Sequence, residues 1–520
     1  MLFNSLEFLF LFLPLSLAGF FLLGRWRRDV AAGWLGAASL FFYGWWNPIY
    51  LWLLLISIAL NYYFGLRIAH ATTHRRGWLA FAVTANLAAL CYYKYANFFV
   101  TNVDALFGLD WQIAVVVLPL GISFFTFTQI AFLADTYQGK AKEYNFVHYA
   151  LFVTYFPHLI AGPVLHHKEM MPQFSLPQTY RISSENLSIG LSIFAIGLFK
   201  KVVLADGIAA YVSPVFSAVE HGRTLTFFEA WGGALSYTFQ LYFDFSGYSD
   251  MAIGLSRMFN IKLPLNFDSP YKAINIIDFW RRWHMTLSRF LRDYLYIALG
   301  GNRKGVTRRY INLALTMLLG GLWHGAGWTF VIWGGLHGIY LVINHGWRAL
   351  GSKIGNRVTE VSFVGRVAST QLTFLAVVIA WVFFRAHDVS SALAMLSSMA
   401  GINNIVLPAG IGGLLSVGVR ETVASWGIVF GDIGLLFKRP TEAYWIIGSM
   451  LFVWLLPNTQ EIMGRYQPAL AANEERRQTP LWWSFFVWKP TTCRAVAAAV
   501  VLVWGILGIS RVSEFLYFQF

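Results

Sequence analysis

Long apolar stretches separated by short polar intervals recur along nearly the whole chain. Crossing roughly 30 Å of hydrocarbon takes about 20 helical residues. Stretches of or near that length run from Phe8 to Leu23, Val30 to Trp46, Ile49 to Ile68, Trp78 to Tyr93, Ile113 to Ala134, Leu187 to Leu204, Phe228 to Ile253, Ile311 to Val342, Thr370 to Phe384, Tyr444 to Leu456 and Ala495 to Ile509. The pattern predicts an all-α, polytopic integral membrane protein with roughly ten to twelve spanning helices. The first stretch has the hydrophobicity of a signal peptide. It opens Met1-Leu2-Phe3-Asn4 without basic residues and lacks a convincing small-residue cleavage site, so it reads as a retained first helix.

The polar intervals are few. Asp135 to Tyr149 is a charged loop, His166 to Glu185 a Pro-containing loop, and Asn260 to Arg309 a long, arginine-rich stretch. Within the last, Phe279-Trp280-Arg281-Arg282-Trp283-His284 and Phe290-Leu291-Arg292-Asp293-Tyr294-Leu295-Tyr296 mix aromatics and arginines at near-helical spacing. Such segments are too polar to span and too apolar for a free loop, so they lie at the interface or re-enter the protein. Val389 to Pro440 is Gly-rich and only modestly hydrophobic, which fits a peripheral pair of short helices or an exposed loop. No fixed-period repeat, low-complexity tract or Gly/Ser linker divides the chain, so residues 1–520 are expected to form one membrane domain.

Composition sharpens this picture. Hydrophobic residues make up 57% and charged ones 12%, against about a quarter charged in soluble domains, which leaves no soluble domain of ordinary size. The net charge of +14 does not point to nucleic acid, because the basic residues gather in short intervals between apolar spans, as the positive-inside rule requires. Arg25, Arg27 and Arg28 form one such interval and Arg67, His70, His74, Arg75 and Arg76 another, which makes both cytoplasmic and puts the N-terminus outside. Trp45-Trp46, Tyr92-Tyr93 and Trp482-Trp483 at span ends read as interfacial anchors among the membrane lipids. The two cysteines, Cys91 and Cys493, are far apart and indicate neither a disulfide framework nor a thiolate metal site.

Ionisable residues inside apolar helices are costly and mark candidate chemistry. His324 lies in Leu318-Leu319-Gly320-Gly321-Leu322-Trp323-His324-Gly325-Ala326-Gly327-Trp328, where glycines permit close approach of a ligand or a neighbouring backbone. An imidazole there is suited to deprotonate a hydroxyl or thiol attacking an acyl thioester; equally, it is suited to bond a helix carbonyl. His284, beside Arg281, Arg282 and Trp283, is either a solvated interfacial residue or part of an anion site. Arg281, Arg282 and Arg292 suit the phosphates of a nucleotide-bearing donor or lipid headgroups. Asp244 and Asp250, deep in an apolar run, are expected to pair with the Arg281 to Arg292 cluster as a clasp or to orient a catalytic group. His158, His166, His167, His337 and His345 remain. No metal is expected, because His324 and His337 fall on nearly opposite faces of a continuous helix and no His-Glu-x-x-His occurs. Nucleophile-elbow, phosphate-loop and dinucleotide-binding signatures are also missing. Gly-rich helices with few ionisable residues also suit a transporter, the main rival class.

At these residues the chain resembles the membrane-bound O-acyltransferase family, and within it the bacterial branch that holds the alginate O-acetyltransferase membrane subunit. The resemblance rests on Tyr93-Lys94-Tyr95-Ala96-Asn97-Phe98, Leu118-Pro119-Leu120-Gly121-Ile122-Ser123-Phe124, Phe156-Pro157-His158-Leu159-Ile160-Ala161-Gly162-Pro163-Val164 and Leu241 to Ile253. It continues through Phe279 to His284, Leu291 to Tyr296, Gly300-Gly301-Asn302-Arg303, Gly320 to Gly325 and Trp381-Val382-Phe383-Phe384-Arg385-Ala386. Its core runs from about residue 40 to 345.

The resemblance implies an active-site histidine at His324, in a tunnel through the membrane, with His284 as the second polar residue near it. Asp244, Asp250, Arg281, Arg282, Trp283, Arg292 and Trp323 would shape the tunnel or hold the donor. It further implies acetyl-CoA as donor, an inner-membrane location, a polysaccharide acceptor outside, and a periplasmic or membrane-anchored acetyltransferase partner. Alginate, peptidoglycan, cellulose and other exopolysaccharides stay open as acceptors. A D-alanyl donor, as in the teichoic-acid branch, fits the motif wording less well. The region beyond Asn403, with Pro457-Asn458-Thr459-Gln460 and the aromatic tail Phe515 to Phe520, reads as a C-terminal extension.

Overall fold

The computed structural model describes residues 1–520 except 110, 112–114, 142–144, 161, 354–361, 404, 432–433, 435, 437–439, 471–480, 510–515 and 517–520. Its main helices, in chain order, are α1 (Phe8–Trp26), α2 (Arg28–Gly44), α3 (Ile49–His70), α4 (Arg75–Phe107), α5 (Ile122–Tyr137), α6 (Phe146–Thr154), α7 (His167–Ser175), α8 (Ser184–Ala209) and α9 (Phe227–Met258). They continue with α10 (Val306–His324), α11 (Trp328–Lys353), α12 (Phe363–Arg385), α13 (Val389–Met399), α14 (Pro440–Leu455) and α15 (Thr492–Gly508). Among the described residues α1, α3, α8 and α12 are both long and apolar enough to cross a bilayer, and α13, the Thr441–Leu455 part of α14, and α15 are shorter apolar helices. Between α13 and α14, where short helices or a loop are expected, Ile405–Pro408 pairs in parallel with Ile428–Gly431, and the short helices Ala409–Leu414 and Val417–Ser425 flank them. The aromatic tail lies outside the described residues apart from Leu516.

Two helix pairs organise the interior, and glycine makes both possible. Gly190 and Gly197 lie two turns apart on α8, and Gly247 and Gly254 likewise on α9. A Cβ at Gly190 would stand 2.5 Å from the Gly254 carbonyl oxygen, and one at Gly197 2.6 Å from that of Gly247. Only hydrogen fits at these crossings, so the two backbones touch, as small-residue seams allow in membranes. Just past the seam, α8 widens into a π-helical turn over Lys200–Ala205, which turns both lysines inward. Lys200 Nζ lies 2.7 Å from Asp250 Oδ2, to which the Thr459 hydroxyl also donates at 2.6 Å; Lys201 Nζ lies 2.7 Å from both Asp244 Oδ1 and Asp206 Oδ1.

The acidic pair is therefore a clasp, but its partners are these lysines and not the Arg281 to Arg292 cluster. That cluster has carboxylates of its own: Arg282 Nε donates to Asp278 Oδ1 at 2.8 Å, Arg292 Nε to Asp293 Oδ1 at 2.7 Å, and Arg289 Nη1 to Glu169 Oε1 at 2.6 Å. The correction has a steric cause. The glycine seam brings α8 against α9 at the level of Asp244 and Asp250, ahead of any arginine.

The apolar run Ile311 to Val342 is not one helix. It breaks at Gly325-Ala326-Gly327 into the antiparallel hairpin α10–α11, whose legs close on Gly321, Gly334 and Gly338. A Cβ at Gly321 would collide with the Phe330 carbonyl, and one at Gly338 would stand 3.1 Å from Ala314 Cα. The run Ile113 to Ala134 likewise starts its helix only at Ile122, after Pro119 and Gly121; Ile113 itself lies outside the described residues.

Asp250→Asn is expected to destabilise the fold by about 3–5 kcal/mol, because it strands a buried ammonium. The double change Lys200→Met with Asp250→Leu should recover most of that loss. Thermal unfolding in detergent of the two variants against the unaltered chain is the measurement; equal loss in both would show that the charge pair does not carry the clasp.

Candidate active site

His324 is the last residue of α10 and stands at the tip of the hairpin, 5% exposed. Three aromatic rings surround it: Trp323 at a centroid distance of 4.9 Å, Trp333 at 5.0 Å and Phe384 at 5.2 Å. Trp323 is itself stacked on Phe127 at 5.3 Å, so α5 forms one wall. Trp283 belongs to the next layer, 5.0 Å from Trp381, which stacks on Trp333 at 5.6 Å.

His284 is brought to this cage by the arginine-rich segment, which enters the protein and does not lie on its surface. Ile276–Trp280 and Met285–Phe290 are short helices, and Trp280, Trp283 and His284 are buried. His284 joins them in the left-handed region (φ +43°), uncommon for a residue with a Cβ and a mark of functional sites. Its ring lies 6.3 Å from that of His324, and Phe245 of α9 meets it edge-on at 4.8 Å. Helix α9 thus turns Phe245 to the site and Asp244 to the lysines.

Asn266, which the sequence does not single out, fixes the tautomer of His284. Asn266 Oδ1 accepts from the Thr286 hydroxyl at 2.9 Å and from the Thr286 backbone N–H at 3.3 Å, so that atom is the oxygen. His284 Nδ1, 3.1 Å away, must then donate to it, which leaves the lone pair of a neutral ring on Nε2. His337 is the second residue missed. Read on a continuous helix it falls opposite His324, but the hairpin returns it to the cage, 4.9 Å from Trp333, where its Nδ1 accepts from Trp280 Nε1 at 3.3 Å. Among the described residues Trp323 Nε1, Trp333 Nε1 and His337 Nε2 are buried nitrogens without a protein partner. A ligand carbonyl or oxyanion is the natural complement to such donors.

Beside the cage lies a cavity of about 90 Å³ lined by Lys94, Ser123, Ile160, Trp323, His324 and the turn 118–122, about three waters' worth of space. Gly121 (φ +70°) shapes the turn, and a Cβ there would stand 3.0 Å from the Leu159 carbonyl oxygen. An acetyl group or a single hydroxyl arm fits this volume, and a nucleotide does not. The structure thus gathers His324, His284, Trp323 and, one layer out, Trp283. Arg281 and Arg292 are exposed, Arg282 is held by Asp278, and Asp244 and Asp250 face α8. Among the described residues no three His, Cys, Asp or Glu side chains group as metal ligands.

A predominantly helical body with apolar outer faces, holding His284, His324 and His337 in an aromatic cage, has the features of a membrane-embedded enzyme with a small polar centre. The chain belongs to the membrane-bound O-acyltransferase family, whose profile matches residues 81–358, a segment that includes both histidines. It is 46% identical over 437 residues to the peptidoglycan O-acetyltransferase of Helicobacter pylori, covering 78% of this chain and 81% of that one. To the "probable alginate O-acetylase AlgI" of Pseudomonas aeruginosa it is 44% identical over 408 residues, 77% and 75% of the two chains. To the protein of that name in Pseudomonas fluorescens it is 37% identical over 530 residues, 100% of both. That last alignment takes in the region after Asn403, which is therefore no extension relative to that protein. The chain is an integral membrane acyltransferase.

Asn266→Leu, which orphans three donors, is expected to lower acyl transfer at least tenfold and stability by about 1–3 kcal/mol for each donor left unmet. Initial rates with thermal unfolding of the same preparation check it; unchanged rates would remove His284 orientation from the mechanism.

Proposed function

We propose that the protein is a membrane O-acetyltransferase that takes acetyl groups from acetyl-CoA in the cytoplasm and passes them across the inner membrane for O-acetylation of an extracytoplasmic polysaccharide. The observation that carries this reading is His324 at the tip of a hairpin, in a cage with N–H donors, beside a cavity of acetyl size. Relatives named for O-acetylation of peptidoglycan and of alginate support the acetyl group and the polysaccharide class. Both free ends of the hairpin are basic, with Arg308 and Arg309 on one leg and Arg348 and Lys353 on the other, which favours a cytoplasmic side for them. From Arg308 to His324 is about 24 Å at the helical rise. A slender thioester arm suits that depth, while its nucleotide stays at the mouth, where exposed Arg281 and Arg292 are the candidates to meet phosphate.

In this reading roughly ten to twelve spans form one domain around a tunnel. His324 accepts the proton of an acceptor hydroxyl as its oxygen attacks the acetyl carbonyl. The oxyanion that forms is met by cage N–H groups. Collapse breaks the C–S bond, and the thiolate takes the proton from His324, so acetyl ester and free CoA thiol leave in balance. His284 assists from the second corner of the cage, Trp323 and Trp283 wall it, and Asp244, Asp250 and Arg282 hold the frame. The acceptor hydroxyl belongs to the polysaccharide or to a periplasmic or membrane-anchored acetyltransferase that completes the transfer.

Acetyl release from radiolabelled acetyl-CoA by the purified protein in nanodiscs tests this. His324→Ala is expected to fall by about 10²- to 10⁴-fold, the worth of a positioned acid–base group, with folding and insertion intact, and His284→Ala by less. A polysaccharide or lipid transporter, or a scaffold for a periplasmic enzyme, predicts no change in either variant.

A further inference from the structure

A helix ends with carbonyls that have no partner within it, and in a membrane protein no water reaches most of them. Helix α10 ends at His324, followed by extended Gly325 (φ −159°, ψ 151°), with no backbone N–H folding back to cap it. Its last three carbonyls are taken instead by two neighbouring side chains of α4. The Tyr95 hydroxyl donates to the Leu322 carbonyl at 2.7 Å, and Lys94 Nζ donates to the Trp323 carbonyl and to that of His324 at 3.3 Å. The same ammonium lies 3.4 Å from Ser123 Oγ and 5.7 Å from the Trp323 ring. A cation is the favoured partner for a helix C-terminus, where the carbonyl dipoles converge.

From this geometry we infer that Lys94, with Tyr95, is a positioning residue for catalysis: it fixes the terminal turn that aims His324 and sets the positive field of the cavity both residues line. Two features separate this from a simple structural tie. A hydroxyl or amide would cap the same carbonyls without placing a half-buried ammonium against the terminal turn of α10. Lys94 also lines the cavity with His324, so negative charge developing on an acyl carbonyl there forms within the field of the ammonium.

The inference rests on His324 being catalytic, so His324→Ala is measured in parallel. Thiol release from acetyl-CoA is followed in membrane vesicles holding the full chain. Lys94→Ala and Lys94→Met are expected to lose about 10- to 100-fold in kcat, the scale of a small misplacement of a reacting group, with KM for acetyl-CoA within about twofold. Ethylamine should restore Lys94→Ala at least fivefold, and ethanol of the same size should not. Tyr95→Phe, which keeps the cation and drops one cap, should lose about 3- to 10-fold in kcat and gain nothing from ethylamine. If His324→Ala is inactive while the Lys94 variants stay within twofold of the unaltered chain, the inference falls and the site reading stands; equal rescue by ethanol also overturns it. If His324→Ala is fully active, the site reading itself fails. Should both Lys94 variants fail to insert, the Tyr95→Phe rate decides alone: kcat within twofold overturns the inference.

Discussion

Hydrocarbon supplies no hydrogen bonds, and that one constraint arranges nearly every polar group in this structure. A charge or an open helix end within the membrane is stable only where the protein brings its complement, so polar residues come in matched sets. Lys200 and Lys201 meet Asp250 and Asp244, Asn266 collects three donors around His284, and the last turn of α10 leans on Tyr95 and Lys94. In the cage around His324, by contrast, two indole nitrogens and one imidazole nitrogen converge without a protein partner among the described residues. Such a cluster of open donors is what a polar ligand group would complete.

Glycine does the complementary work of distance. At the α8–α9 seam it lets backbones touch, which puts two lysines at the depth of two aspartates; in the hairpin it lets α10 and α11 close so tightly that Trp333 and His337 come around to His324. Clasp and cage lie on opposite sides of α9. Asp244 turns to one and Phe245, the next residue, to the other. Damage to the clasp therefore reaches the site through one rigid helix, without any change in its own groups.

Much of this was legible in the chain. Apolar run lengths gave the membrane class and most helices, because burial in lipid writes itself into composition over about 20 residues. His324 stood out as an ionisable residue among glycines, and the shared motifs pointed to His284 beside it. What was not legible depends on contacts distant in sequence. Lys200 and Lys201 look like an interfacial end of an apolar run until the seam and the wide π turn place them. Lys94 stands beside tyrosines that read as a belt, and only the arrival of α10, more than two hundred residues later, gives it a role. His337 was misplaced because hydrophobic periodicity does not register a chain reversal across Gly325-Ala326-Gly327.

That reversal makes the hairpin a depth gauge. Both legs rise from the same basic side, and the His324 ring sits where they meet, so the length of the legs sets how far from that side the ring stands. One helical turn added to or removed from each leg would shift the ring by about 5.4 Å while leaving the glycine contacts near the tip unaltered. Moving the cage to a deeper or shallower level is then a matter of counting turns, and needs no redesign of the cage.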